Sequence, residues 1–167
     1  MPNQSLFVKN DAGQIIQLES FFILFPGMEN NIRILFGGEV LKSMDEISGS
    51  LANLYLATPD LVAVHVGEEV LFLEPIRQTE AGKVVARVLL VTEKIICIYI
   101  EVWGGKPNNP EVFTRRYTGF GLCAVIDKNG EMLKNLKPYR DPSEITKLAE
   151  LVINFQKNIR ELILKRH

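Results

Sequence analysis

The stretch from Val40 to Tyr55 constrains this chain more than any other. Its apolar residues fall at Val40, Leu41, Met44, Ile47, Leu51, Leu54 and Tyr55, the i, i+3, i+4, i+7 spacing of one helix face held for about four turns. Gly49 and Ala52 are small enough to let another element approach closely, and Pro59 is a stop signal soon after the end. A helix this apolar has to be covered on most of its sides, and the rest of the chain must supply the cover.

The chain beyond this helix reads as sheet. Residues 61–66, 69–73, 83–91, 95–103 and 117–126 are rich in Val, Ile, Leu, Phe and Tyr. Turn signals separate them at Gly67, at Glu80-Ala81-Gly82 and in the Gly/Pro/Asn loop 104–110, and Asp127-Lys128-Asn129-Gly130 closes the last. Ahead of the helix, residues 5–18 read as a hairpin around Asn10-Asp11-Ala12-Gly13, and residues 20–25 as a further strand ending at Pro26-Gly27. A second helix opens at Asp141-Pro142 with Glu144 completing a capping pattern. It carries an apolar stripe from Ile145 through Leu148, Leu151, Val152, Phe155 and Ile159 to Leu162 and Ile163, and Lys165-Arg166-His167 suits its C-terminal dipole. It reads as a packing helix, with a partner-binding helix as the alternative. Strands with one segregated central helix indicate α+β, an antiparallel sheet curled around that helix.

At 167 residues the chain is one domain with a proper core. Hydrophobic residues at 47% and charged residues at 23% exclude disordered and coiled-coil classes. A net charge of -1 gives no global field toward nucleic acid or an anionic membrane. No apolar run approaches the roughly 20 residues of a membrane span, and Met1 to Ser5 shows no secretion signal. Cys97 and Cys123 sit in apolar runs and read as buried free thiols of a reducing compartment. These features point to a soluble, cytoplasmic protein.

The segment with chemical content runs from Asn30 to Asp45. A Gly37-Gly38 pair at a helix entrance lets a ligand reach the backbone. The first amides of a helix lack intrahelical partners and carry the positive end of the dipole, so they suit a developing oxyanion. Asp45, two turns on, can activate water or attack directly. Spacing alone leaves the other reading open, in which the glycines are a turn and Asp45 an ordinary surface carboxylate.

Leu35-Phe36-Gly37-Gly38 followed by Met44-Asp45 resembles the hotdog acyl-CoA thioesterase family, whose pattern is Asn-x-x-Gly-x-[Ile/Leu]-Phe-Gly-Gly and then Met-Asp. The likeness continues at Ser48-Gly49, at Phe72-Leu73-Glu74-Pro75-Ile76, at Ile100-Glu101-Val102-Trp103 and at Cys123-Ala124-Val125-Ile126-Asp127, covering roughly residues 20 to 135. It implies a hotdog fold, with a core at 20–135, an N-terminal hairpin extension at 1–19 and a C-terminal helix at 141–167. It also implies hydrolysis of acyl-CoA to fatty acid and CoA without a cofactor or metal. By the same likeness Asp45 is the catalytic carboxylate, Gly37 and Gly38 hold the thioester oxygen, and Asn30 lies near the reacting group. Phe36, Arg33, Glu74 and Lys94 are the candidate substrate-binding residues. In that family the site lies across a dimer interface, and dimers commonly form trimers of dimers.

Three positions depart from the pattern. Arg33 stands where the family has Gly, so the loop after Asn30 lacks cheap access to positive φ. Thr92-Glu93-Lys94-Ile95 replaces the family's Arg- and Ser-containing CoA turn, and Glu74 replaces a frequent Lys. They keep a second reading in play, a hotdog protein that binds or senses an acyl thioester without turnover. A thioester dehydratase is a third, but such proteins place a His in or near the central helix, and this helix has none. His65 alternates away from Val64 and Val66 and reads as a hydrogen-bonded structural histidine, a catalytic role being the other option. No Cys/His/carboxylate group has metal-ligand spacing.

Overall fold

The periodic stretch forms helix α1, Gly37–Leu56, in the computed structural model of the chain, which describes residues 7–23 and 27–164. Its buried face is Val40, Met44, Ile47, Ser48, Leu51, Ala52 and Tyr55. Leu41 and Leu54 are exposed instead. Each lies one residue, about 100° of helix, from a core position and so falls at the flank of the stripe. The helix closes at Ala57 in the left-handed region (φ 53°), whose amide donates to the Asn53 carbonyl at 3.1 Å.

One antiparallel sheet curves around this helix. Its strands are β1 Phe7–Lys9, β2 Ile15–Ile23, β3 Leu61–Phe72, β4 Ala81–Val91, β5 Ile95–Gly105, β6 Thr114–Asp127 and β7 Tyr139–Arg140. Their order is β1-β2-β4-β5-β6-β3, with β7 on the end of β4. The hairpin's second strand runs on past the division drawn at residue 19, and Gln17 to Ile23 pairs with β4. Those N-terminal residues are therefore part of the core sheet as well as of the hairpin. Residues 1–6 and 24–26, on which the ends of the expected hairpin and strand fall, lie outside the described residues.

Gly67 does not end a strand. The expected segments 61–66 and 69–73 are one strand, β3, in which His65 pairs with Cys123 and Gly67 with Leu122. Val66 is the extra residue of a bulge, which bends the strand and re-aims its neighbours while the ladder continues.

Helix α1 lies on the inner face of the sheet and touches β2, β3, β4, β5 and β6. The close approach comes from the strand side and not from Gly49, where an added Cβ would meet nothing. At Gly121 of β6 a Cβ would lie 2.8 Å from Ser48 Cβ, and at Gly119 it would lie 2.8 Å from Met44 Cε.

Helix α2, Ile145–Leu164, covers the outer face of β4, β5 and β6. Ala149, Val152 and Ile153 pack on Leu89, Cys97, Tyr99 and Leu122. Helix α2 starts at Ile145, three residues after Pro142. Asp141 does close the turn before it, its Oδ1 accepting from the Ser143 amide at 2.9 Å and its carbonyl from Thr146 Oγ1 at 2.8 Å. Glu144 makes no capping box, because it pairs with Lys147 and the Asp141 amide donates to the Leu89 carbonyl. The side chains of Leu162 and Ile163 and the basic tail 165–167 lie outside the described residues. No helix among the described residues is long and apolar enough to cross a membrane.

Candidate active site

The start of α1 is chemically open. Phe36 is the N-cap with extended backbone (φ -65°, ψ 132°) and supplies no side-chain cap. The amides of Glu39 and Val40 turn back to the Phe36 carbonyl at 2.9 and 3.4 Å. Those of Gly37 and Gly38 donate to nothing among the described residues, so they are the uncommitted donors at the positive end of the helix. Neither glycine has positive φ. Gly38 is small because the Phe36 ring stands over it, where a Cβ would come within 2.9 Å. On the other side the Phe72 ring lies 3.6 Å from a Cβ placed on Gly37. Both rings are exposed, so the free amides sit in an apolar mouth.

The loop before the helix is built around Asn30. Its Oδ1 accepts from the amides of Ile32 and Ile34 at 3.0 and 3.2 Å, and its carbonyl accepts from Arg33 at 2.9 Å. The oxygen of Asn30 is thereby spent on shaping the loop. Arg33 takes the left-handed conformation (φ 59°), which costs a residue with a Cβ about 1 kcal/mol. The chain therefore adopts the turn that a glycine would favour, and carries that cost. The Arg33 carbonyl accepts from the Gln78 amide at 3.0 Å, tying the loop to the segment after β3.

Asp45 stands on α1 facing β3, where His65 Nδ1 lies 2.5 Å from Asp45 Oδ1. Ser48 Oγ is 3.3 Å from the same Nδ1 and donates to the Asp45 carbonyl at 3.0 Å. Ser48 is fully buried; the Asp45 side chain is 56% exposed and His65 only 22%. The histidine expected to be structural is thus in direct contact with the carboxylate expected to be catalytic. Ala63 of β3 is buried against α1, and a period of two along the strand puts His65 on that same inner face. That alternation, set beside Asp45, is the signal in the sequence that could have paired them.

Glu68, further along β3, completes the cluster. Burial is the main cause raising its carboxyl above the ordinary glutamate range; His65 opposes that shift and Asp45 adds to it. One of its oxygens, Oε1, is buried without a hydrogen-bond partner among the described residues. Burial pushes the Cys97 thiol up to about 12 and Cys123 to about 11, so neither is a nucleophile at neutral pH. Among the described residues no group of His, Cys, Asp and Glu is arranged to hold a metal ion.

The substrate-binding candidates are scattered within one chain. Glu74 ion-pairs with Arg116, which also bonds Glu80 at 2.8 Å, and the Leu73 and Glu74 amides donate to the Arg116 carbonyl at 2.8 and 3.0 Å. Glu74 is thereby held as a clamp on the β3–β4 connection. Lys94 borders a cavity of roughly 580 Å³ under α2, on the face of the sheet away from α1. Phe36 alone of the four stands directly over the glycine pair.

Residues 33–111 match the family model described as Thioesterase superfamily. No curated protein matches the sequence. Among solved structures, the acyl-CoA hydrolase of Bacillus cereus aligns over 90% of this chain and 91% of its own, with a TM-score of 0.74 at 19% identity. That of Staphylococcus aureus, in complex with butyryl coenzyme A and coenzyme A, covers 90% of this chain and 91% of its own with a TM-score of 0.74 at 17% identity. A hexameric acyl-CoA thioesterase covers 89% and 92% with a TM-score of 0.72 at 19% identity. The fold expected from the sequence resemblance is therefore the fold observed: a curved antiparallel sheet around a central helix, with a further helix behind it.

Proposed function

We propose that this hotdog-fold chain is a thioesterase that hydrolyses acyl-CoA to a free fatty acid and CoA, with Asp45 as the reacting carboxylate. The observation that carries the reading is Asp45 itself. It is half exposed, hydrogen-bonded through one oxygen, and on the same helix as two free amides in an apolar mouth. The S. aureus hydrolase was also crystallised as variants at an asparagine and an aspartate fifteen residues apart, the spacing of Asn30 and Asp45.

Helix geometry decides how many copies make one site. Seven residues separate Gly38 from Asp45, about 10 Å of helix. A thioester carbonyl must lie about 3 Å from both its oxyanion donors and the attacking group. One chain's amides and its own Asp45 cannot meet that condition, whereas the amides of one copy and Asp45 of another can. Strand β3 is an edge of the sheet with exposed Val62, Val64, Leu71 and Phe72, a surface suited to pairing two copies as a dimer. Assembly into a trimer of dimers accords with the hexameric thioesterase that shares the fold.

In the reaction, the Gly37 and Gly38 amides polarise the thioester oxygen and receive the negative charge that develops on it. Asp45 takes a proton from water as the water attacks, and the thiolate of CoA leaves. Phe36 and Phe72 flank the reacting end with apolar surface. Buried thiols and acyl-CoA chemistry suit a reducing cytoplasm and a place in lipid metabolism.

The test is thiol release from a panel of acyl-CoAs, for wild type and Asp45→Asn. Loss of a general base typically costs about 10²–10⁴-fold in kcat, and a fall of roughly 10³-fold without a change in melting temperature is expected. Wild-type rates no higher than those of the variant on every substrate would leave a binding protein, the reading favoured by Glu74 being locked to Arg116.

A further inference from the structure

Two features unrelated to substrate bring His65 to Asp45. The bulge at Val66 changes the register of β3 immediately after His65. The absence of a side chain at Gly121 lets Ser48 sit against β6. The result is a polar group set in a seam between helix and sheet that is otherwise apolar, with Ser48 wholly buried. Such a group is costly unless its members satisfy one another.

The hydrogen-bond roles are set by the partners. Ser48 Oγ donates its one proton to the Asp45 carbonyl, so toward His65 it can only accept. The ionised Asp45 carboxylate also only accepts. Nδ1 of His65 therefore faces two acceptors and carries a proton. In the familiar arrangement a buried carboxylate orients an exposed histidine that does the chemistry. Here the exposures are reversed, with Asp45 at 56% and His65 at 22%, so the carboxylate is the outward group and the imidazole its support.

We propose that His65 is a positioning residue for Asp45: its Nδ1–H grips Oδ1 and thereby fixes Oδ2 as the oxygen turned to the reacting water. The kinetic part rests on Asp45 being the reacting carboxylate; the grip does not. A carboxylate on a helix surface without a bidentate partner rotates about its last torsion, and a charge-assisted bond of this length removes that freedom. The charged and titratable groups around the imidazole are Asp45 from α1, Glu68 from β3 itself and the Cys123 thiol opposite it on β6. Cys123 stays neutral near pH 7.

Three variants and one spectrum decide it. His65→Leu removes the donor and should lower kcat by about tenfold or more with little change in KM, since a misaimed reacting group commonly costs up to about 10²-fold. His65→Asn keeps an N–H close to the position of Nδ1 and should restore most of that loss, a rescue that a merely space-filling role would not give. Asn no better than Leu, or Leu with unchanged kcat, overturns the proposal. The spectrum is independent of activity: ring ¹⁵N shifts of the two histidines, His65 and His167, in wild type and in Asp45→Ala. The neutral His65 ring should carry its proton on Nδ1 in wild type and move toward the Nε2–H form in the variant. An Nε2–H ring in wild type sinks the grip even if hydrolysis stands. An Nδ1–H ring in a protein that hydrolyses no acyl-CoA supports the grip and overturns the hydrolase reading instead.

Discussion

Helices α1 and α2 are each 20 residues long and lie on opposite faces of the same sheet, yet side chains close the start of one and not of the other. Before α2, Asp141 takes the Ser143 amide, Thr146 closes on the Asp141 carbonyl, and the Thr146 and Lys147 amides turn back at 3.1 and 3.2 Å. Before α1, a left-handed Arg33 leads to a Phe36 without a side-chain cap, and the Gly37 and Gly38 amides donate to nothing among the described residues, as the Glu144 and Ile145 amides do before α2. The seams differ in the same sense. The centre of the α2 seam is apolar and its polar contacts are simple pairs at the rim, Gln156 to Glu69 and Arg160 to the Val66 carbonyl, both at 2.6 Å, whereas α1 places Ser48 and His65 against Asp45 inside its own. A helix start closed by side chains suits a cover; one without a side-chain cap, under two exposed rings and on the helix that carries an exposed carboxylate, suits something it binds.

The largest effect that would break this contrast is at the α2 seam. Leu89 is fully buried there, and Leu89→Ala should cost about 2–5 kcal/mol of stability. Denaturant unfolding would show the loss, while kcat per folded molecule stays at the wild-type value. A selective drop in kcat would mean that the outer face contributes to chemistry and that the division between the helices is wrong.

The helix starts give the next test, in two halves. Asp141→Ala should cost about 1 kcal/mol through loss of its bond to the Ser143 amide, with activity unchanged. Arg33→Gly should do the reverse before α1. It relieves the left-handed strain, offset by the extra freedom of an unfolded glycine, for a net gain of about 0.5–1 kcal/mol. Were Arg33 to contact a CoA phosphate, KM would rise as stability improves; an unchanged KM assigns it to the loop alone.

The same contrast explains what the sequence made legible. Both helices are periodic, and their spans came through the 3.6-residue pattern because burial of one stripe dominates their energetics. Near the start of α2 the cap at Asp141 was readable because it acts locally, while the helix itself begins three residues after Pro142, at Ile145. At α1 the Gly37-Gly38 pair and Asp45 could be found directly, whereas the partner of Asp45 is hinted at only by the alternation that sets His65 on the face of Ala63. His65 lies 20 residues away, and which helix residue it meets is set by how β3 pairs in the sheet. Gly67 reads as a turn for the same reason: a local signal for a break is overridden by the ladder to β6 on both sides of it. Arg33 shows the limit in the other direction. Its residue type argues against positive φ, but the bonds that Asn30 makes around it hold the loop in that form.

Glu68 and Glu150 carry the contrast into pH dependence, with the smallest effects and opposite signs. Burial raises the folded carboxyl of Glu68, so folding favours its protonated form. Stability from this group is highest below the ordinary glutamate range and falls as pH rises through the raised value. At neutral pH the ionised, half-buried Glu68 is unfavourable, and Glu68→Gln should stabilise by roughly half a kcal/mol after solvent screening. That gain should vanish on acidification. On α2, the bond from Arg140 lowers the exposed Glu150 carboxyl, so its contribution is present above the ordinary glutamate range and lost as pH falls through the lowered value. Glu150→Gln should therefore weaken the protein slightly at neutral pH and leave it unchanged in acid. Thermal melts of the two variants from acid to neutral pH should diverge from wild type in opposite directions at the neutral end. If both variants moved the same way, Glu68 would have to hold a bond that offsets its burial, and the polar group beside α1 would be internally satisfied.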